Sequence, residues 1–416
     1  MFQDCRRIWL VGNARTSGLL LTVFCSLLVA AYFSLTRSAP TLWPALLVFI
    51  GACAGFLLSR VQSHPRRLLG LIPLGAIGTL VALIWAVLLP PVSIGPALML
   101  GFAAGLGIFV LGRTYLTAVP ANSRCSAIIS TIAAFCIVAI SLVLIANALT
   151  KTQMMGDEEQ QWLIVALAAA VAMIAGWLFF RDVLELFTEL LIWPFYRIRG
   201  SGPGWQDFPS QGPTLVVANH SAWLDPVWIA KVLPRRLTPM MTSVFYDKPV
   251  LRWLMVHVVH AIRVEASGFR REAPELRQAV AALDRGECVV VFPEGRMRRR
   301  DDQLLHRFGQ GIWHILRERP NTPVIPCWIE GGWGSYFSYC DGPPTRHKRF
   351  DRWRRIDVGV AKPRIIEPSV LEDHRATRIH LMQACLDTRQ CLGLQSPLAS
   401  TLVPMLDPGN NSGTTV

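Results

Sequence analysis

The sequence predicts a two-part chain: an α-helical membrane bundle with six candidate spans, followed by an α/β region built on a mainly parallel mixed sheet. Three observations carry this expectation. The 416 residues are 52% hydrophobic, too apolar for one ordinary soluble domain and numerous enough for two regions. Charge is unevenly spread, with 10 Lys/Arg and 4 Asp/Glu in residues 1–180 and the remaining 31 and 24 beyond them. After Gly200, short β-branched runs alternate with helical patterns, the signature of a covered parallel sheet.

A membrane span needs roughly 20 mainly apolar residues, because every backbone polar group must be paired inside a helix within the hydrocarbon. Charge-free windows lie between Arg15 and Arg37, between Arg37 and Arg60, and across residues 68–112, 125–150 and 160–180. The long third window is broken by the turn signal Pro90-Pro91 and counts as two spans. Basic residues collect in alternate loops: Arg6, Arg7 and Arg15; Arg60, Arg66 and Arg67; Arg113 and Arg124; then Arg181, Arg197 and Arg199. The positive-inside rule therefore puts both ends of the bundle in the cytoplasm. The first window is read as a retained span rather than a cleaved leader, since no small-residue cleavage site precedes a polar domain. No ionisable residue falls inside a window, which favours an anchor over a transport path.

Residues 181–199 form an apolar and aromatic stretch with a few carboxylates, expected to lie along the membrane interface. The α/β region is expected over 200–390, with strands at 214–218, 261–264, 287–292, 322–329 and 355–360 and helices at 226–233, 273–285 and 309–319. Residues 391–416, rich in Ser, Pro, Gly, Asn and Thr, are expected to be a disordered tail. The net charge of +13 sits beside long apolar runs, so anionic membrane lipid is the expected counterpart and nucleic acid is not. The ten cysteines include no CxxC pair, and no metal site is expected.

In open α/β sheets the chemistry gathers beyond the carboxyl ends of strands. After the strand at 214–218 comes Asn219-His220-Ser221-Ala222-Trp223-Leu224-Asp225-Pro226. His220 could take a proton from a hydroxyl, with Asp225 fixing its tautomer. An Asp-Pro pair is equally the start of a helix. The strand at 287–292 leads into Pro293-Glu294-Gly295-Arg296, a turn that offers a carboxylate and a guanidinium suited to phosphate. A strand-end turn with a solvated basic run is the alternative there.

Together and in this order, with Val324-Ile325-Pro326 after them, these blocks resemble the glycerolipid acyltransferase family that includes bacterial 1-acylglycerol-3-phosphate acyltransferases. The resemblance covers roughly residues 200–365. It implies His220 and Asp225 as the catalytic pair, and Glu294, Gly295, Arg296, Arg263 and Pro326 as acceptor-binding residues. Arg270 and Arg271 align with the Arg263 position as well. The implied reaction moves a fatty acyl group from acyl-CoA or acyl-carrier protein to the hydroxyl of a lysophospholipid, with no resident cofactor. Arg296 directly after Gly295, with no intervening Thr, resembles the branch that acts on lysophosphatidylethanolamine and is fused to a major-facilitator lysophospholipid transporter. Residues 105–124 are loosely similar to the second half of such transporters, so the bundle is expected to be a half-transporter that now serves as an anchor in the inner membrane.

Other features carry less. His257 and His260 are three apart without a third ligand, and Trp223, Trp228, Trp253, Trp313, Trp328 and Trp333 are read first as packing. The run Arg346, His347, Lys348, Arg349, Arg352, Arg354 and Arg355 is a candidate headgroup patch or an ordinary solvated surface. The rival from another class is a lysophospholipid transporter or flippase carrying a degenerate acyltransferase module.

Overall fold

The computed structural model describes residues 42–61, 67–88, 94–118, 129, 156–265 and 273–395. They fall into two units, Met1–Thr188 and Glu189–Val416.

The first unit contains α1 (Leu42–Val61), α2 (Leu71–Leu88), α3 (Ile94–Ala118) and α4 (Asp157–Leu178). Helices α2 and α3 stop and start on either side of Pro90-Pro91, as the turn signal predicts. Among the described residues, three helices rather than six are long and apolar enough to cross a membrane: Leu71–Leu88, Ile94–Arg113 and Glu158–Leu178. In α1 the apolar stretch is the shorter Leu46–Leu57. The windows between Arg15 and Arg37 and, except for residue 129, at 125–150 lie outside the described residues, as do Arg6, Arg7, Arg15, Arg66 and Arg124 of the topology expectation.

Helices α1 and α3 meet backbone to backbone. Each carries glycines four apart, Gly51 and Gly55 on α1 and Gly101 and Gly105 on α3. A side chain on Gly51 or Gly55 would overlap the carbonyls of Leu98 or Phe102, and one on Gly101 or Gly105 those of Val48 or Ala52. Paired small residues at this spacing let apolar helices approach closely where no hydrophobic driving force operates between them.

Helix α5 (Phe180–Ile192) follows. The interfacial stretch expected over 181–199 is helical only to Ile192, and Pro194 disfavours a further helical residue before it. Tyr196-Arg197-Ile198-Arg199 alternates with period two and forms β1 (Tyr196–Ser201).

The second unit is a seven-stranded sheet comprising β1, β2 (Thr214–Ala218), β3 (Leu237–Thr242), β4 (Ile262–Val264), β5 (Cys288–Val291), β6 (Val324–Glu330) and β7 (Arg354–Val360). Its order is β1-β7-β6-β2-β5-β3-β4. Every neighbouring pair is parallel except β6 with β7, which gives the mainly parallel mixed sheet the sequence predicts. The five anticipated strands are present, while β1 and β3 are additions. Pro239 inside β3 masks its strand character.

Successive residues of the central strands enter opposite layers. Leu215, Val217, Val289 and Val324 pack with α8 (Pro274–Asp284), α9 (Gly311–Glu318) and α10 (His374–Asp387), counting α6 (Asp225–Val232) and α7 (Pro249–Leu254) before them. Val216, Ala218, Val290 and Ile325 pack with Trp228, Ile229 and Val232 of α6. Strand β2 is buried along its whole length. Its register pairs Val217 with Val291 of β5 and Ala218 with Cys327 of β6, so the loops after β2 and β5 leave the sheet side by side. The tail expected over 391–416 is described only to residue 395; its first residues belong to a 3-10 turn, Thr388–Leu392.

Candidate functional site

Asn219 closes β2 by bonding both backbone groups of Ile329 in β6: its amide donates to the Ile329 carbonyl at 3.0 Å and its oxygen accepts from the Ile329 N–H at 2.7 Å. His220 then turns away from the sheet and lies 2.9 Å through Nδ1 from Asp225 Oδ2. That same oxygen accepts from the Ser221 and Ala222 amides at 2.6 and 2.9 Å. Asp225 is fully buried and is the first residue of α6 rather than its N-cap, which is Leu224. Its side chain therefore reaches back to the turn before it instead of capping the helix. A carboxylate at this place favours the tautomer with its proton on Nδ1, which leaves the Nε2 lone pair facing away from Asp225. The imidazole stacks on Phe292, ring centroids 4.6 Å apart at 29°.

Glu294 is buried and holds the turn from the other side. Its Oε1 accepts from the His220 N–H at 2.7 Å and its Oε2 from the His306 N–H at 2.7 Å. Burial pushes the carboxyl up to about 8, against the two amide bonds, while nearby Asp225 raises it further. Two more backbone bonds complete the clamp, Arg298 N–H to the His220 carbonyl at 2.8 Å and Gly309 N–H to the Pro293 carbonyl at 2.7 Å. Glu294, predicted to bind substrate, is thus occupied with the protein's own backbone. Gly295 sits at φ +67° with open space around it, so backbone conformation and not room requires glycine there.

Arg296 is exposed next to this turn, where its charge helps keep neighbouring His306 below its ordinary value, second to burial. Arg298 stacks over Trp333 at 4.5 Å and donates to the carbonyls of Arg300 and Asp301.

Two predicted residues stand elsewhere. Arg263 lies on β4 at the sheet edge and is gripped by Asp247, at 2.8 and 2.6 Å, and by Glu265, at 2.6 Å. Pro326 is buried inside β6, where its carbonyl accepts from Ala361 at 3.0 Å; it shapes the strand beneath the turn. Arg270 and Arg271 lie outside the described residues. No group of three or more metal-ligating side chains occurs among the described residues.

The structure adds residues the motif reading passed over. His306 gave no signal of its own in the sequence, and Phe292 stood there only as the start of the Phe292-Pro293-Glu294-Gly295 block. Gly332 lies so near the turn that a side chain there would overlap the Ser221 hydroxyl and crowd Asp225. Phe337 accepts from the Trp223 N–H at 3.2 Å. A Gly331-Gly332 pair after a strand is the one cue that this segment approaches another backbone closely.

Comparisons with known proteins fall on the same stretch of chain. Residues 203–330 match the family described as Acyltransferase. The matched stretch contains the His220 turn, the Glu294 turn and Gly295-Arg296. An uncharacterised Mycobacterium leprae protein is 28% identical over 163 residues, 37% of this chain and 41% of the relative. A Caenorhabditis elegans protein provisionally named 1-acyl-sn-glycerol-3-phosphate acyltransferase acl-2 is 23% identical over 166 residues, 39% of this chain and 57% of its own length. The chain thus spans between two-fifths and three-fifths of these relatives. The crystal structure of the 1-acyl-sn-glycerophosphate acyltransferase PlsC from Thermotoga maritima aligns over 61% of this chain and 90% of that one, with 17% identity and a TM-score of 0.40.

The Glu294 geometry has two measurable consequences. In Glu294→Gln one of the two amides faces an NH2 group, so the turn loses a bond. In an acyl-transfer assay, kcat should fall at least about tenfold while KM stays within about twofold, since roughly 1–3 kcal/mol is lost where no substrate is touched. A group raised from 4.5 in the unfolded chain to about 8 stabilises the fold fully below 4.5 and loses that contribution as pH rises through 8. The melting temperature should therefore fall from pH 5 to 8 in the native protein, with a flatter profile in Glu294→Gln.

Proposed function

We propose that this chain transfers a fatty acyl group from acyl-CoA or acyl-carrier protein to the free hydroxyl of a lysophospholipid of the lysophosphatidate or lysophosphatidylethanolamine type. The reading is carried by one observation: an imidazole whose Nδ1 is engaged by a buried carboxylate, leaving Nε2 as a base beside a turn that exposes an arginine. The name of the Caenorhabditis elegans relative supports a glycerol-based acceptor.

In this reading Nε2 of His220 removes the acceptor hydroxyl proton as its oxygen attacks the thioester carbonyl. The C–O bond forms, the C–S bond breaks when the tetrahedral intermediate collapses, and the imidazolium returns the proton to the departing thiolate. Asp225 stabilises the imidazolium, held in place by the Ser221 and Ala222 amides. Arg296 takes the acceptor phosphate, for which a planar guanidinium offers paired donors. Arg263 could join it only by leaving Asp247 and Glu265. The apolar helices of the first unit keep the enzyme beside its membrane-borne acceptor, and the distribution of arginines supports an inner-membrane protein with a cytoplasmic catalytic domain.

His220→Ala should lower acyl transfer at least about a thousandfold while leaving membrane insertion intact, because general-base catalysis contributes about 10²–10⁴-fold. Labelled acyl-CoA and acyl-carrier protein against a panel of lysophospholipids would measure it, and full activity would reject the assignment. Arg296→Ala should raise the acceptor KM about tenfold, or more, with the thioester KM unchanged. An effect confined to the thioester would assign Arg296 to the donor instead.

A further inference from the structure

Between β6 and β7 the chain makes a long excursion, and its last part meets the segment that leads into β1. Trp193 and Trp353 stand edge to face with centroids 5.0 Å apart, yet remain 56% and 45% exposed. The Arg197 guanidinium lies 4.7 Å over the Trp353 ring. Phe350, 49% exposed, packs at 4.8 Å against Phe195. Leu190 and Leu191, just before Trp193, are exposed too.

This arrangement is held firmly. Buried Asp351 accepts from the Tyr196 hydroxyl at 2.6 Å and the Tyr336 N–H at 2.8 Å, and Arg354 N–H donates to the Phe195 carbonyl at 2.8 Å. Thr345, His347 and Trp353 all adopt left-handed backbone conformations, at φ 67°, 55° and 53°, which non-glycine residues keep only when their surroundings fix them. Charge on the excursion, residues 331–353, is mainly basic, with Arg346, Lys348, Arg349 and Arg352 against Asp341 and Asp351. Among acids on adjoining elements, Glu189 is engaged by Lys231 and Asp357 by Arg355. Arg346, Arg349 and Arg352 remain exposed.

From this edge a row of rings leads inward. Phe350 meets Tyr336 at 4.8 Å, Tyr336 meets Phe337 at 5.1 Å, and Phe337 meets Trp223 at 6.3 Å. Trp223 lies three residues beyond His220.

We propose that Trp193, Phe350 and Trp353, with Arg197, Arg349 and Arg352, form a docking edge for an anionic bilayer surface, independent of the apolar helices of the first unit. Indole rings favour the headgroup level, where their apolar body and polar N–H are both accommodated, and interleaved cations favour anionic lipid. Aromatic residues and Arg also suit a protein partner, but that occupant would leave exchange equal in the two lipids compared below. The row of rings places the catalytic turn at the end of an apolar path that begins at this edge. That last point rests on the lysophospholipid reading given above; the docking edge does not.

Hydrogen–deuterium exchange on the full chain in lipid nanodiscs tests the edge without any turnover. Backbone amides in 190–199 and 346–353 should exchange about tenfold more slowly in nanodiscs containing phosphatidylglycerol than in pure phosphatidylcholine. The double variant Trp193→Ser, Trp353→Ser should lose that protection while exchange at 218–225 stays unchanged, which shows that the fold is intact. Equal rates in the two lipids, or protection that survives the double substitution, would overturn the proposal. Protection in the native chain together with an active His220→Ala variant would reject the catalytic reading alone.

Discussion

Two backbone amides far apart in the chain converge on one buried carboxylate, and the candidate site depends on that constraint. Glu294 binds the N–H of His220, 74 positions before it, and the N–H of His306, 12 positions after it. Both are charge-assisted bonds when the carboxyl is ionised. The turn after β5 thereby fixes where the imidazole leaves β2, and the parallel register of β2 with β5 brings the two loops within reach. Asp225 then acts on an imidazole whose backbone is already held. A carboxylate that reads in sequence as a ligand for substrate works in three dimensions as a staple between loops.

The long connection between β6 and β7 closes the other side. Gly332 passes against Ser221 and Asp225, Phe337 bonds the backbone of Trp223, and Trp333 receives the Arg298 guanidinium on its ring face. The Arg298 charge is thus spent on loop structure, and Arg296, two residues earlier, is left exposed. A run of basic residues that looks uniform in sequence divides into structural and available members according to which carbonyls and rings lie nearby.

Much of this was legible before any coordinates. Alternating β-branched runs located five strands, and the His220/Asp225 spacing gave a pair that does meet at 2.9 Å. What escaped did so for identifiable reasons. Strand β3 contains Pro239, whose missing N–H lowers any strand expectation, and β1 was absorbed into the apolar stretch before it although Tyr196 to Arg199 alternates. The roles of Phe292, His306 and Gly332 depend on loops that come together only through the sheet order, which local patterns do not encode. Arg263 illustrates the converse: its residue type suits phosphate, but Asp247 and Glu265 are close enough to claim it. In the first unit, the paired glycines of α1 and α3 were visible as residues, but only helix contact gives them a use.

The sheet order has a consequence for how the domain is made. Strand β1 leaves α5 early in the chain, yet its neighbour is β7, pairing Tyr196 with Arg354. During synthesis β1 therefore waits, its edge unpaired, until nearly the whole domain has left the ribosome, whereas β2 can join β5 and β6 sooner. Long-range parallel pairings of this kind are slow and leave strand edges open to misassembly. A nascent chain interrupted before residue 354 would hold the His220 turn but lack the strand that seals the sheet, and its open edge would be exposed to misassembly.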